Sequence, residues 1–378
     1  MPNNAPTAGC GTAAREDSRA ECRRWRARPG GDGAEESANR LTFRAFYRSL
    51  PGPCAAPQRA SVWRRICVSD NGHAHFSAGN DAGARAIIGV HGRRSGKPTS
   101  GPVRDMSRHP FDLLMELDTQ HIRLDCAALH LARDVYPKID VPRYLRLLDE
   151  MAAAVMQRRP GLAATLRYEA LRDVLVGEFG LTGNARDYYA PENSYLNRVL
   201  DTRVGIPISL AVVWLEVARR LKWPAAGVGL PGHFLVRLDD PERFVLADPF
   251  HAGVARSVDD CRLLVAERFH GAVDLSARHL RRVSTRGVLV RLLRNLRNIY
   301  LAAEDWSRLA GTLRRLAAVQ PANGRHLREL AAVCWRQGDV RGARDYLALY
   351  LHRLPDAQDS SLVERSLRKL DLALVAQN

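Results

Sequence analysis

A serine, a histidine and an aspartate, in that order and each in a setting suited to proton transfer, are the residues of this sequence whose types and spacing could do chemistry. Ser209 falls in the first turn of a helix started by Gly205-Ile206-Pro207, where free N–H groups and the helix dipole stabilise a developing anion. His233 follows in Pro231-Gly232-His233-Phe234, at the expected start of a strand, where an imidazole can serve as base. Asp248, in Ala247-Asp248-Pro249-Phe250, ends the next expected strand and could orient that imidazole. Upstream, Asn193 and Asn197 could donate to an oxyanion, although Asn193 is also a natural N-cap for the helix carrying Leu196, Val199 and Leu200. Each residue has an ordinary structural use in a cap or turn, so the order and the settings make the signal.

The elements that must position these residues read as α+β. Residues 107–185 carry apolar faces at helical spacing, such as Tyr144, Leu147, Leu148 and Met151 after Val141-Pro142. Leu210, Val213, Trp214, Val217, Ala218 and Leu221 give the Ser209 helix a buried stripe, and Pro224 ends it. Ala225–Leu230, His233–Leu238 and Phe244–Asp248 read as short strands, the last two joined by an Asp239-Asp240-Pro241-Glu242 turn. Beyond about residue 257 the pattern is helical again and contains a repeat, since Pro321 and Pro355 stand 34 residues apart. Leu330, Gly338, Ala343, Leu347 and Pro355 follow the spacing of a tetratricopeptide unit, whereas Glu304 and Leu309 replace the glycine and alanine in a degenerate first copy. Fewer than three clear repeats cannot stand as a free solenoid, so these helices should pack on what precedes them.

The chain has 378 residues, enough for two or three domains with a sizeable core. Its cysteines, at positions 10, 22, 54, 67, 126, 261 and 334, form no CxxC pair and no zinc-type spacing with histidine. A reducing compartment, no metal and no cofactor are therefore expected. No apolar run reaches membrane-spanning length and no signal-type apolar segment opens the chain, which predicts a soluble cytoplasmic protein without a membrane partner. The formal net charge is +16, but residues 1–105 hold 17 Lys/Arg against 9 Asp/Glu, half of that excess. That segment, with clusters such as Arg28-Pro29-Gly30-Gly31, lacks apolar periodicity and is expected to be a disordered basic tail or a mis-assigned extension before a start at Met106. Without an aromatic-interleaved basic stripe, nucleic acid is not expected as a partner.

The stretch Asn193–Leu210, with Val228–Val236 and Asp248-Pro249-Phe250, resembles the bacterial SirB-type proteins, which join a transglutaminase-like core to tetratricopeptide repeats. The resemblance covers residues 107 to about 370. It implies a papain/transglutaminase-like core over 186–256, flanked by a helical region at 106–185 and by repeat-like helices at 257–378. It also implies that Ser209 stands nearest the slot of the nucleophilic cysteine, with His233 and Asp248 in the histidine and aspartate slots. A thiolate needs only modest pKa lowering beside histidine, whereas a hydroxyl must lose its proton during attack, so a site tuned for sulfur serves oxygen poorly. The expected function is therefore a catalytically degenerate module that binds a protein or peptide through the core cleft and the repeats, with a regulatory role. The alternative is a Ser-His-Asp hydrolase or acyltransferase acting on protein or peptide amides.

Overall fold

The computed structural model describes residues 109–376, so the expected basic tail and the start at Met106 lie outside the described residues. Proline and aspartate set several of the helix starts. Asp140 accepts a hydrogen bond from the amide of Arg143, and Pro142 occupies the first turn of helix α3 (Val141–Gln157). Around it lie α1 (Pro110–Leu114), α2 (Leu124–Leu131) and α4 (Ala164–Arg172), the last running on into a π-helical segment at Asp173–Glu178. Leu148, Met151 and Val155 of α3 are fully buried, with Tyr144 nearly so.

A short parallel pair follows, β1 (Thr182–Gly183) with β2 (Val204–Gly205), separated in sequence by α5 (Leu196–Thr202). Helix α6 (Pro207–Arg220) then runs through the centre of the core, its Leu210, Val213, Trp214, Val217 and Ala218 all without solvent exposure. The main sheet is antiparallel, in the order β6 (Val254–Arg256), β5 (Phe244–Asp248), β4 (Leu235–Asp239), β3 (Ala225–Val228), β7 (Arg282–Val283). Alternate residues of its strands serve two cores, as the period of two requires. Val236, Leu238 and Ala247 face the main core with α6. Leu235 and Leu246 face a second cluster completed by Cys261 and Val265 of α7 (Val258–Phe269). The span 186–256 thus holds four of the five strands, and residues 282–283 supply the fifth.

Two sequence-level expectations shift. Asn193 is not the cap of α5: it sits in a 3-10 turn at Pro191–Ser194, and the N-cap residue is Tyr195, which makes no side-chain cap. His233 lies two residues before β4, because Gly232 adopts φ 67° and turns the chain back so that the His233 amide donates to the Leu230 carbonyl at 3.2 Å.

The C-terminal helices are α8 (Thr285–Ala302), α9 (Trp306–Val319), α10 (Arg325–Arg336), α11 (Val340–Arg353) and α12 (Ser360–Val375), each packed on the next. Gly338 turns α10 into α11 at φ 81°, and Glu304 makes the corresponding turn from α8 to α9 at φ 55°. Ala343 and Leu347 have no solvent exposure between the helices. The array packs on the preceding region: α8 contacts α2 and α6, and the hydroxyls of Tyr195 and Tyr300 lie 2.7 Å apart. Arg286 donates to the carbonyls of Met115 and Leu117, each at 2.9 Å, and Arg315 pairs with Asp134 and Asp112.

Candidate functional site

The C-terminal end of β5 delivers Asp248, which has no solvent exposure, and the turn before β4 delivers His233 to it. His233 Nε2 lies 2.9 Å from Asp248 Oδ1. A 3-10 turn at Pro249–His251 wraps the aspartate, so that the backbone amide of His251 donates to Oδ1 at 3.3 Å and His251 Nδ1 stands 2.8 Å from Oδ2. Arg256 Nε donates to Oδ2 at 3.2 Å. Burial pushes the Asp248 carboxyl up, but hydrogen bonds and charge from His233 and His251 outweigh it and hold the group well below the usual carboxylate range. The result is an ionised carboxylate with one imidazole on each oxygen.

Aromatic rings wall this cluster. Phe250 lies edge-on to His233 and His251, at centroid distances of 6.2 and 5.1 Å, and Tyr188 stacks edge-on against Phe250 at 5.8 Å. Burial raises the Tyr188 phenol to about 12, so at neutral pH it remains protonated. The close approach of β1 to the Pro249–His251 turn requires glycine: a Cβ on Gly183 would stand 2.4 Å from the Phe250 carbonyl oxygen. On the other side, Arg291 of α8 donates to the carbonyls of Gly229 at 2.9 Å, Leu230 at 3.2 Å and His233 at 3.4 Å, fixing the turn that carries the imidazole.

Ser209 is placed differently. Its hydroxyl donates to the Asn193 carbonyl at 2.5 Å and accepts from the Ile206 amide at 3.1 Å, and the residue is 1% exposed. Among the described residues no hydrogen bond joins it to His233. Asn193 spends its amide hydrogens on the carbonyls of Asp187 at 2.6 Å and Tyr188 at 3.3 Å, while its Oδ1 accepts from Asn184 at 3.1 Å. Asn197 is buried, and its Oδ1 has no hydrogen-bond partner among the described residues. The structure therefore joins His233 to Asp248, and separately joins Ser209 to the Asn193 backbone. Burial pushes the thiols of Cys126, Cys261 and Cys334 each up to about 11, which leaves them protonated and unreactive at neutral pH.

The sequence reading did not single out His251, Arg256 or Arg291. The spacing Asp248-Pro249-Phe250-His251 carries a signal for the first, since three residues of a tight turn bring an imidazole back to its capping aspartate. Arg291, 58 residues from His233, gives no such local sign.

Comparison with known proteins agrees with the expected fold class. The chain matches the transglutaminase-like superfamily over residues 142–294 and the tetratricopeptide repeat over 296–368. A UPF0162 protein of Xylella fastidiosa strain 9a5c is 34% identical over 257 residues, covering 67% of this chain and 92% of the relative. A UPF0162 protein of Pseudomonas aeruginosa is 32% identical over 241 residues, covering 61% and 87%. Human F-box only protein 21 is 33% identical over 113 residues, 28% of this chain and 18% of that protein. No solved structure matches significantly.

Proposed function

Because this chain belongs to the UPF0162 family and joins a transglutaminase-like core to tetratricopeptide repeats, we propose that it is a catalytically degenerate, SirB-type module that binds a protein or peptide in a regulatory role. The cytoplasm is the compartment this reading implies. One observation supports it: the Ser209 hydroxyl, which the resemblance sets nearest the slot of the transglutaminase thiol, donates its hydrogen bond to the Asn193 carbonyl and not to an imidazole. A hydroxyl attacks only when a base takes its proton in the transition state, and a backbone carbonyl is no such base. The histidine–aspartate pair is then a retained element of the fold. No helix among the described residues is long and apolar enough to cross a membrane.

The intact His233–Asp248 pair, at 2.9 Å, favours a second reading, a Ser-His-Asp hydrolase or acyltransferase acting on protein or peptide amides. Labelling with a serine-directed fluorophosphonate separates the two. The interaction module should remain unlabelled at Ser209 in the wild-type protein. Labelling that disappears in both Ser209→Ala and His233→Ala would establish the hydrolase instead.

A further inference from the structure

A base oriented by a carboxylate needs one imidazole, yet Asp248 holds two. His233 Nε2 and His251 Nδ1 approach opposite oxygens of the same buried carboxylate at 2.9 and 2.8 Å. One donor atom from each of these three residues lies within 4.8 Å of the others. We infer that His233, Asp248 and His251 form a binding site for one divalent transition-metal ion of the zinc type, bound through His233 Nε2, an Asp248 carboxylate oxygen and His251 Nδ1.

The donor set suits such an ion, because two neutral imidazoles and one carboxylate match borderline metals such as zinc or cobalt(II) and disfavour magnesium or calcium. Bonds of about 2.0–2.1 Å in a tetrahedral arrangement need donor atoms roughly 3.3 Å apart. His233 Nε2 already stands 2.9 Å from Oδ1, while His251 Nδ1 lies 2.8 Å from the other oxygen, Oδ2, so an ion held on one oxygen needs the opposite imidazole to swing towards it. His251 can supply this movement, since its side chain is 47% exposed, ends a single turn and is followed by Ala252 and Gly253, both with positive φ.

Binding needs no external reactant. Each imidazole binds the ion in its neutral form, with its proton on the ring nitrogen that does not face Asp248 and the freed lone pair on the ion, and an imidazolium first releases one proton to solvent. Two N–H···O bonds are replaced by two N–metal bonds and one O–metal bond, and three protein ligands leave a fourth position for water. The Arg256 guanidinium on Oδ2 opposes the added charge, which favours Oδ1, the oxygen against His233, as the ligand. Phe250 and Tyr188 supply an apolar wall on the buried side.

The test uses the full chain with any affinity tag removed, stripped with a chelator and dialysed, then titrated with zinc(II) by calorimetry and with cobalt(II) by visible absorption. One equivalent is expected, with a tetrahedral cobalt band. His251→Ala removes an exposed side chain and should keep the fold, verified by circular dichroism, while weakening zinc binding by at least ~10–100-fold, the range that even supporting partners of metal ligands carry. His233→Ala should do the same. Absence of a one-to-one complex at ~100 µM zinc, or a complex whose affinity is unchanged in His251→Ala, overturns the inference. Fluorophosphonate labelling is a separate readout, so either result leaves the question of Ser209 nucleophilicity where it stood.

Discussion

Replacing Ser209 with alanine distinguishes a structural hydroxyl from a nucleophile by stability alone. The substitution deletes the donor to the Asn193 carbonyl and the acceptor for the Ile206 amide, at a residue 1% exposed, so both backbone groups are left without that partner in a dry environment. A buried polar group stripped of its partner costs about 1–3 kcal/mol, and loss of a helix-start hydrogen bond typically about 1 kcal/mol. The two losses share one oxygen and do not add fully, which gives an expected cost of about 2–4 kcal/mol. A catalytic serine behaves oppositely, because active-site groups trade stability for function and their removal is often neutral or stabilising. Urea unfolding of the full chain, followed by far-ultraviolet circular dichroism, reads the difference as a lower midpoint at unchanged slope. A cost below about 0.5 kcal/mol would refute the structural reading, since no paired, buried hydroxyl is removed so cheaply. Ser209→Cys extends the test. Its thiol, enclosed and without an imidazole partner, should react with iodoacetamide more slowly than a free thiol of pKa about 8.5. Faster alkylation that His233→Ala abolishes would show that the imidazole does reach this position.

Three further outcomes are expected. Ala343→Leu should cost about 1–3 kcal/mol in urea unfolding, because Ala343 has no exposed surface where α11 packs on α10, and a change near zero would remove the close helix contact from the repeat. Glu304→Gly should stabilise by about 0.5–1 kcal/mol, since Glu304 holds φ 55° where the second repeat has Gly338 at φ 81°, and glycine relieves left-handed strain at a smaller entropic cost. A fall in melting temperature would refute that. Burial lowers the pKa of His326 to about 4, below its unfolded value of 6.5, so the unfolded chain takes up the proton first and stability falls as pH drops between those values. The loss approaches about 3 kcal/mol by the lower end of this window, and His326→Gln should remove that part of the slope when unfolding is compared at pH 7 and pH 4.5.

Much of the fold is legible because it rests on local signals. The α3 and α6 stripes, the proline in the first turn of α3 and the glycine between α10 and α11 each act within a few residues, and each has the expected place. The site is less legible, because its decisive contacts depend on side-chain direction. Ser209 is correctly read into the first turn of α6, yet one helical position turns a side chain by about 100°, and sequence alone does not say whether the hydroxyl faces an imidazole or the Asn193 carbonyl. Asn193 has a capping residue's chemistry but sits in a 3-10 turn two residues before the N-cap position, where the carbonyls of Asp187 and Tyr188 take its amide hydrogens. His251 lay one residue beyond the motif as read, and its role emerges only when the turn closes on Asp248.

Helix α8 has a further consequence. The two family matches abut between residues 294 and 296, inside the uninterrupted run Thr285–Ala302. Arg291 grips the His233 turn from one half of this helix, while Tyr300, in the other half, meets Tyr195. The joint between the two regions is thus a continuous rod without a hinge, and cutting the gene at the family boundary would divide that rod and strip Leu296 and Tyr300 of their burial. Neither half is a separable cassette. Strain applied to the repeats would reach the histidine turn along this helix.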